Sequence, residues 1–163
     1  MPKASNPNPD DGTKGLYFED LYVGQRFASG EHQIDESQIT AFAREFDPQL
    51  FHLDSQAARS TFFKGLVASG WHTAGISMRL MVDSGLSIAG GLIGAGAEIS
   101  WPKSTRPGAL LHVEIEIIDL KASRSRPDRA IATVRSETRD QSGEIVQVLT
   151  AKLVVPRRNA APM

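Results

Sequence analysis

Four extended segments follow one another through the second half of this chain, and they leave few folds open. Leu92 to Trp101 is glycine-rich, then extended, and Pro102 closes it. A turn follows at Arg106-Pro107-Gly108. From Leu111 to Ile117 the alternation is strict, with Val113, Ile115 and Ile117 on one face. Ala130 to Thr138 reads as a third strand, Asp140 to Gly143 as a hairpin turn, and Ile145 to Val155 as a fourth strand. Strands joined by short turns pair antiparallel, and such a sheet must bury one face. The natural cover is the apolar segment from about Ser69 to Ser84. Trp71, Ala74, Met78, Met81 and Val82 lie on one side of it as a helix, and Ile76 and Leu80 on another. Apolar residues on more than one side predict a helix surrounded by protein. Ala74, Gly75 and Ser77 keep its surface thin, which suits close packing on a sheet, and Gly85 is a plausible C-cap. The expected class is α+β: an antiparallel curved β-sheet wrapped around a long central helix. One sheet around one helix leaves an open flank. A second copy commonly covers such a flank, so a homodimer is expected, with association beyond a dimer left open.

Upstream, Gln25 to Ile34 reads as a strand with a bulge at Gly30. Asp35 and Ser37 are candidate caps for a helix whose inward positions are Ile39, Phe42, Ala43 and Phe46. Leu53 to Phe63 reads as another helix, capped by Asp54 or Ser55, with Ala57, Ala58 and Phe62 inward. Lys64-Gly65 breaks it. Residues 1–15 are rich in Pro, Asn, Asp and Gly and read as a disordered leader, 16–158 as one domain, and 159–163 as a loose tail.

Composition removes several classes. The 163 residues fit one domain. With 18 basic and 19 acidic residues there is no basic field to suggest nucleic acid. The chain has no cysteine, which excludes disulfides, thiol catalysis and cysteine-based metal sites. No apolar run approaches the roughly 20 residues needed to cross a bilayer, and the start, MPKASNPNPDDG, lacks the apolar core of a signal peptide. A soluble cytoplasmic protein with neither nucleic-acid nor membrane partner is expected.

The chemistry-bearing stretch is FDPQLFHLDSQAARSTFFKGLVASGW, residues 46–71. Asp47 and His52 stand five positions apart. On one helix they would diverge by about 140°. Pro48 disfavours helical geometry at Asp47, so the incoming helix stops there and the chain turns. A carboxylate and an imidazole can then face one spot and exchange protons at neutral pH. On the residues alone, Asp47 is also accounted for as a turn residue and His52 as a half-buried loop histidine. Ser69 reads equally as a helix cap or a substrate contact. His72 reads as a satisfied core histidine, and nothing has metal-ligand spacing. Phe46, Phe51, Phe62, Phe63, Trp71 and Met78 are candidate pocket walls.

These residues resemble the MaoC-like acyl dehydratase family, which includes the (R)-specific enoyl-CoA hydratases and has the hotdog fold. Its signature is Asp-x-Asn-Pro-x-His, followed by a small-residue and glycine pair opening the central helix. Asp47 and His52 keep the family's separation, and Gly70 lies 70 − 47 = 23 residues after Asp47, where the family keeps its glycine. The likeness runs from about Phe18 to Arg158 and includes WPKSTRPG and SRSRPDR. The chain departs at Gln49, Leu50 and Ser69, where the family has Asn, Pro and often His.

The resemblance implies reversible addition of water to a 2-enoyl thioester of coenzyme A or an acyl carrier protein, as in fatty acid metabolism, with no further cofactor. It implies Asp47 and His52 as the acid–base pair, Gly70 N–H as the oxyanion donor, and Ser69 and Gln49 beside the substrate. Arg124, Arg126 and Arg129 are candidates for the coenzyme A phosphates, or simply a solvated loop. A hotdog thioesterase and a non-catalytic acyl-thioester-binding protein are the competing readings.

Overall fold

The computed structural model describes residues 14–158, so the tail and residues 1–13 of the expected leader lie outside the described residues. Gly15, placed in that leader, is instead seated. Its φ is +113°, a Cβ there would lie 2.7 Å from Ser87 O, and Leu16 N–H donates to Ser87 O at 2.7 Å.

Five strands form one antiparallel sheet: β1 (Arg26–Gln33), β2 (Ile93–Ser100), β3 (Leu110–Ala122), β4 (Arg129–Arg139) and β5 (Ile145–Pro156), in the order β1-β3-β4-β5-β2. Four helices lie between β1 and β2: α1 (Glu36–Phe46), α2 (Leu50–Leu53), α3 (Ser55–Ala58) and α4 (Gly70–Val82). This is the hotdog arrangement, a curved sheet with α4 laid against its concave face. Local chemistry sets most boundaries. Asp35 caps α1 by accepting from Gln38 N–H at 2.8 Å, and α1 ends at Phe46, one residue before Asp47-Pro48. The β1–β3 register slips between Ala28 and Glu31, around Gly30. On β3, Val113, Ile115 and Ile117 are all buried, as the alternation requires.

Four expectations fail. The helix expected from Leu53 to Phe63 is only the short α3, Ser55–Ala58, which Asp54 starts by accepting from Gln56 and Ala57 N–H; α2 ends at Leu53 and the chain turns after Ala58. Phe62 does not face inward; it is 89% exposed. The central helix is also not covered all round. Thr73, Ile76, Ser77, Leu80 and Met81 are buried, while Trp71, Met78 and Val82 form an exposed stripe. Gly85 is not the cap; Asp83 is.

Where α4 meets the sheet its buried face is partly polar. Ser77 Oγ lies 2.6 Å from Thr138 Oγ1 on β4, both buried, and donates or accepts there. Ser77→Ala leaves the Thr138 hydroxyl without this partner, so unfolding free energy should fall by about 1–3 kcal/mol in a denaturant titration. Wild-type stability in that variant would contradict the assignment.

Candidate active site

Pro48 sends the chain out of α1 and straight into α2, a single turn that carries His52. The imidazole is 5% exposed. Its Nδ1 lies 2.6 Å from the carbonyl oxygen of Val67, which can only accept, so Nδ1 carries hydrogen and donates. That bond leaves Nε2 as the nitrogen that exchanges protons, and Nε2 faces Asp47 Oδ2 at 3.2 Å. Phe51 packs edge-on against the imidazole, with ring centroids 4.5 Å apart.

The other carboxylate oxygen of Asp47 is held as well. Gln49 Nε2 donates to Oδ1 at 2.6 Å. Partial burial pushes the Asp47 carboxyl up, but hydrogen bonds from Gln49 and Ser69 and the neighbouring His52 outweigh it and hold the group below its usual range. Asp47 therefore stays ionised further into acid. The stability it gives is present above the ordinary carboxylate pKa and is lost as pH falls through the lower folded value. Gln49→Leu removes one of these bonds, so the Asp47 pKa should rise. The acid limb of a pH–rate profile should then move to higher pH; an unmoved limb would show that Gln49 does not act on Asp47.

Ser69 is buried and caps α4, its Oγ accepting from Trp71 N–H at 3.3 Å. Gly70 is the first residue of that helix, and among the described residues its N–H has no acceptor. A free N–H at a helix N-terminus suits developing negative charge. Gly70 cannot carry a side chain here. A Cβ would lie 2.7–2.9 Å from three carbons of the Trp101 indole.

His52 and Gly70 border one open cavity of about 230 Å³, lined also by Phe51, Phe63 and Trp101 and by the polar Thr73, Lys103, Ser104 and Thr105. Of the six expected walls only Phe51 and Phe63 line it; Phe46, Phe62, Trp71 and Met78 are exposed. A larger hollow of about 470 Å³ lies among ion-paired Arg and Glu side chains of β1, β3 and β4 and contains neither Asp47 nor His52. His72 is not fully satisfied: its ring stacks on Phe42 at 4.6 Å, but its buried Nδ1 has no partner among the described residues. The basic loop is distant. Arg129 pairs with Pro156 in the sheet and Thr138 with Gln147, so Trp101, bonded to Gln147, lies at the other end, about 30 Å away along β4. Arg129 is also paired with Asp128 at 2.7 Å.

Sequence reasoning missed two contributors. The Val67 carbonyl fixes His52 but, being backbone, has no sequence signature. Trp101 stood inside WPKSTRPG without an assigned role.

The family model described as MaoC like domain matches residues 22–139. The chain belongs to the MaoC-like family. A solved MaoC-like dehydratase from Rhodospirillum rubrum is 59% identical and superposes with a TM-score of 0.86, covering 89% of this chain and 99% of that one. YdeM, an uncharacterized protein of Bacillus subtilis, is 32% identical over 129 residues, which is 77% of this MaoC-like chain and 89% of YdeM. The (R)-hydratase PhaJ1 of Pseudomonas aeruginosa, 22% identical with a TM-score of 0.67 over 91% of this chain and 94% of that one, shares the fold.

Proposed function

We propose that this protein is a hydro-lyase that adds water reversibly to the double bond of a 2-enoyl thioester, carried on coenzyme A or an acyl carrier protein. One observation carries the reading: His52, with Nδ1 locked by a backbone carbonyl and Nε2 turned to Asp47, shares a cavity with the free N–H of Gly70.

The steps follow from those atoms. The pair starts with one proton on His52 Nε2 and with Asp47 as carboxylate. A water beside the pair, within reach of both groups, is oriented by them. Asp47 takes a proton from the water as its oxygen bonds to the β-carbon. The double-bond electrons move toward the thioester, whose oxygen gains charge and accepts from Gly70 N–H. His52 Nε2–H then protonates the α-carbon. Asp47 returns its proton to Nε2 across the 3.2 Å contact, and the pair is reset. The reverse sequence dehydrates a 3-hydroxyacyl thioester. Gln49 and Ser69 hold Asp47 in place. No resident cofactor takes part, and the enzyme works on fatty-acyl thioesters in the cytoplasm.

The working unit is a homodimer. The exposed stripe of α4 and the glycine-rich edge strand β2, nearly all exposed, give a second copy an apolar face and unpaired backbone groups to cover. Mixing the protein with a panel of 2-enoyl-CoAs tests the reaction. Loss of the conjugated-enoyl absorbance without thiol release is the expected result. Thiol release in its place would make the protein a thioesterase, and binding without turnover a carrier.

A further inference from the structure

We infer that Trp101 is a specificity-determining residue, the fixed wall that restricts this site to short acyl groups. The inference rests on the hydratase reading only in taking the acyl thioester to enter the cavity beside His52.

Trp101 follows β2 directly and precedes Pro102, which confines its backbone to extended geometry. Its indole is held on three sides. The N–H donates to Gln147 Oε1 at 3.0 Å, and Gln147 is 1% exposed, so this acceptor is buried and immobile. One edge of the ring lies against Gly70 so closely that no Cβ fits between them. Trp71 packs on it edge-to-face, with centroids 5.4 Å apart and planes at 82°. These contacts hold the indole in place although Trp101 is 39% exposed, and swinging it aside for a longer ligand would break the bond to Gln147.

Two further aromatic rings line the same cavity. Phe51 and Phe63 pack edge-to-face at 5.0 Å, and Phe51 is braced by His52. Part of the lining is polar: Thr73 Oγ1 and Thr105 Oγ1 are 3.1 Å apart and buried. Paired hydroxyls give a methylene chain no apolar continuation. The space between these surfaces, about 230 Å³, holds about eight groups at about 30 Å³ per water-sized group. That accommodates the thioester and a chain of about four to six carbons.

Saturated acyl-CoAs from butanoyl to decanoyl have no double bond to hydrate, so calorimetric titration with them reads binding apart from turnover. The wild-type protein should bind octanoyl-CoA at least about tenfold more weakly than butanoyl-CoA, since each excluded methylene costs about tenfold or more. Trp101→Ala should abolish that difference. Gln147→Leu, which keeps the indole but releases its N–H, should reduce it, and Trp101→Phe should fall between. Folding of each variant is checked by circular dichroism. Identical length profiles in the wild type and every folded variant overturn the inference and leave the hydratase reading intact. Failure of the wild type to bind or turn over any acyl-CoA overturns both.

Discussion

Asp47→Asn and His52→Ala should each lower kcat/KM for a 2-enoyl-CoA by about 10²–10⁴-fold, and the double variant should fall little below the worse single one. Asp47 and His52 act on one water and pass one proton between them across 3.2 Å, so losing either disables the cycle. Each replacement also has a defined local effect. Asparagine keeps the shape of Asp47 and its contact with Gln49 but cannot take the proton from water. Alanine at position 52 removes both the Nε2–H that protonates the α-carbon and the bond to Val67 O. Steady-state rates across the four proteins decide the matter. Singles with full activity, or effects that simply multiply, would mean that the two residues do not work as a pair.

The second large effect belongs to Gly70→Ala. A methyl group here would come within 2.7 Å of Trp101 Cε2. The indole is anchored by Gln147, so the start of α4 must move. Forced overpacking costs about 1–3 kcal/mol of stability. Displacing the N–H from the thioester oxygen should cost about 10²-fold or more in kcat. The two losses are read separately, by thermal unfolding and by single-turnover rate. A stable variant with the wild-type rate would remove Gly70 from the chemistry.

What the sequence makes legible is what short-range chemistry decides. Asp35 caps α1 because a carboxylate reaches the N–H three residues on, and α1 ends at Phe46 because of Pro48. The alternation around Val113 places β3 with its apolar face inward. Asp47 and His52 are legible as a pair because a turn between them is forced. The rest depends on contacts distant along the chain. α2 is one turn long, too short to show a period, although it carries His52. Val67 serves through its backbone, so its side chain says nothing of the role. Trp101 meets Gly70 only because β2 lies at the sheet edge beside β5, which brings its C-terminal end over the start of α4. Phe46 and Phe62 fit an apolar stripe, yet both are exposed; pattern reports apolar character and not what covers it. Trp71, Met78 and Val82 show the same limit on α4, where the partner expected to cover them is another chain.

The central claim is that these residues add water across a carbon–carbon double bond and leave the thioester whole. The most direct measurement is nuclear magnetic resonance of the product formed from crotonyl-CoA in deuterated water. A hydroxyl at the β-carbon, a single deuteron at the α-carbon and an intact thioester are the predicted result. Free crotonate with coenzyme A thiol, and no label on the α-carbon, would contradict it.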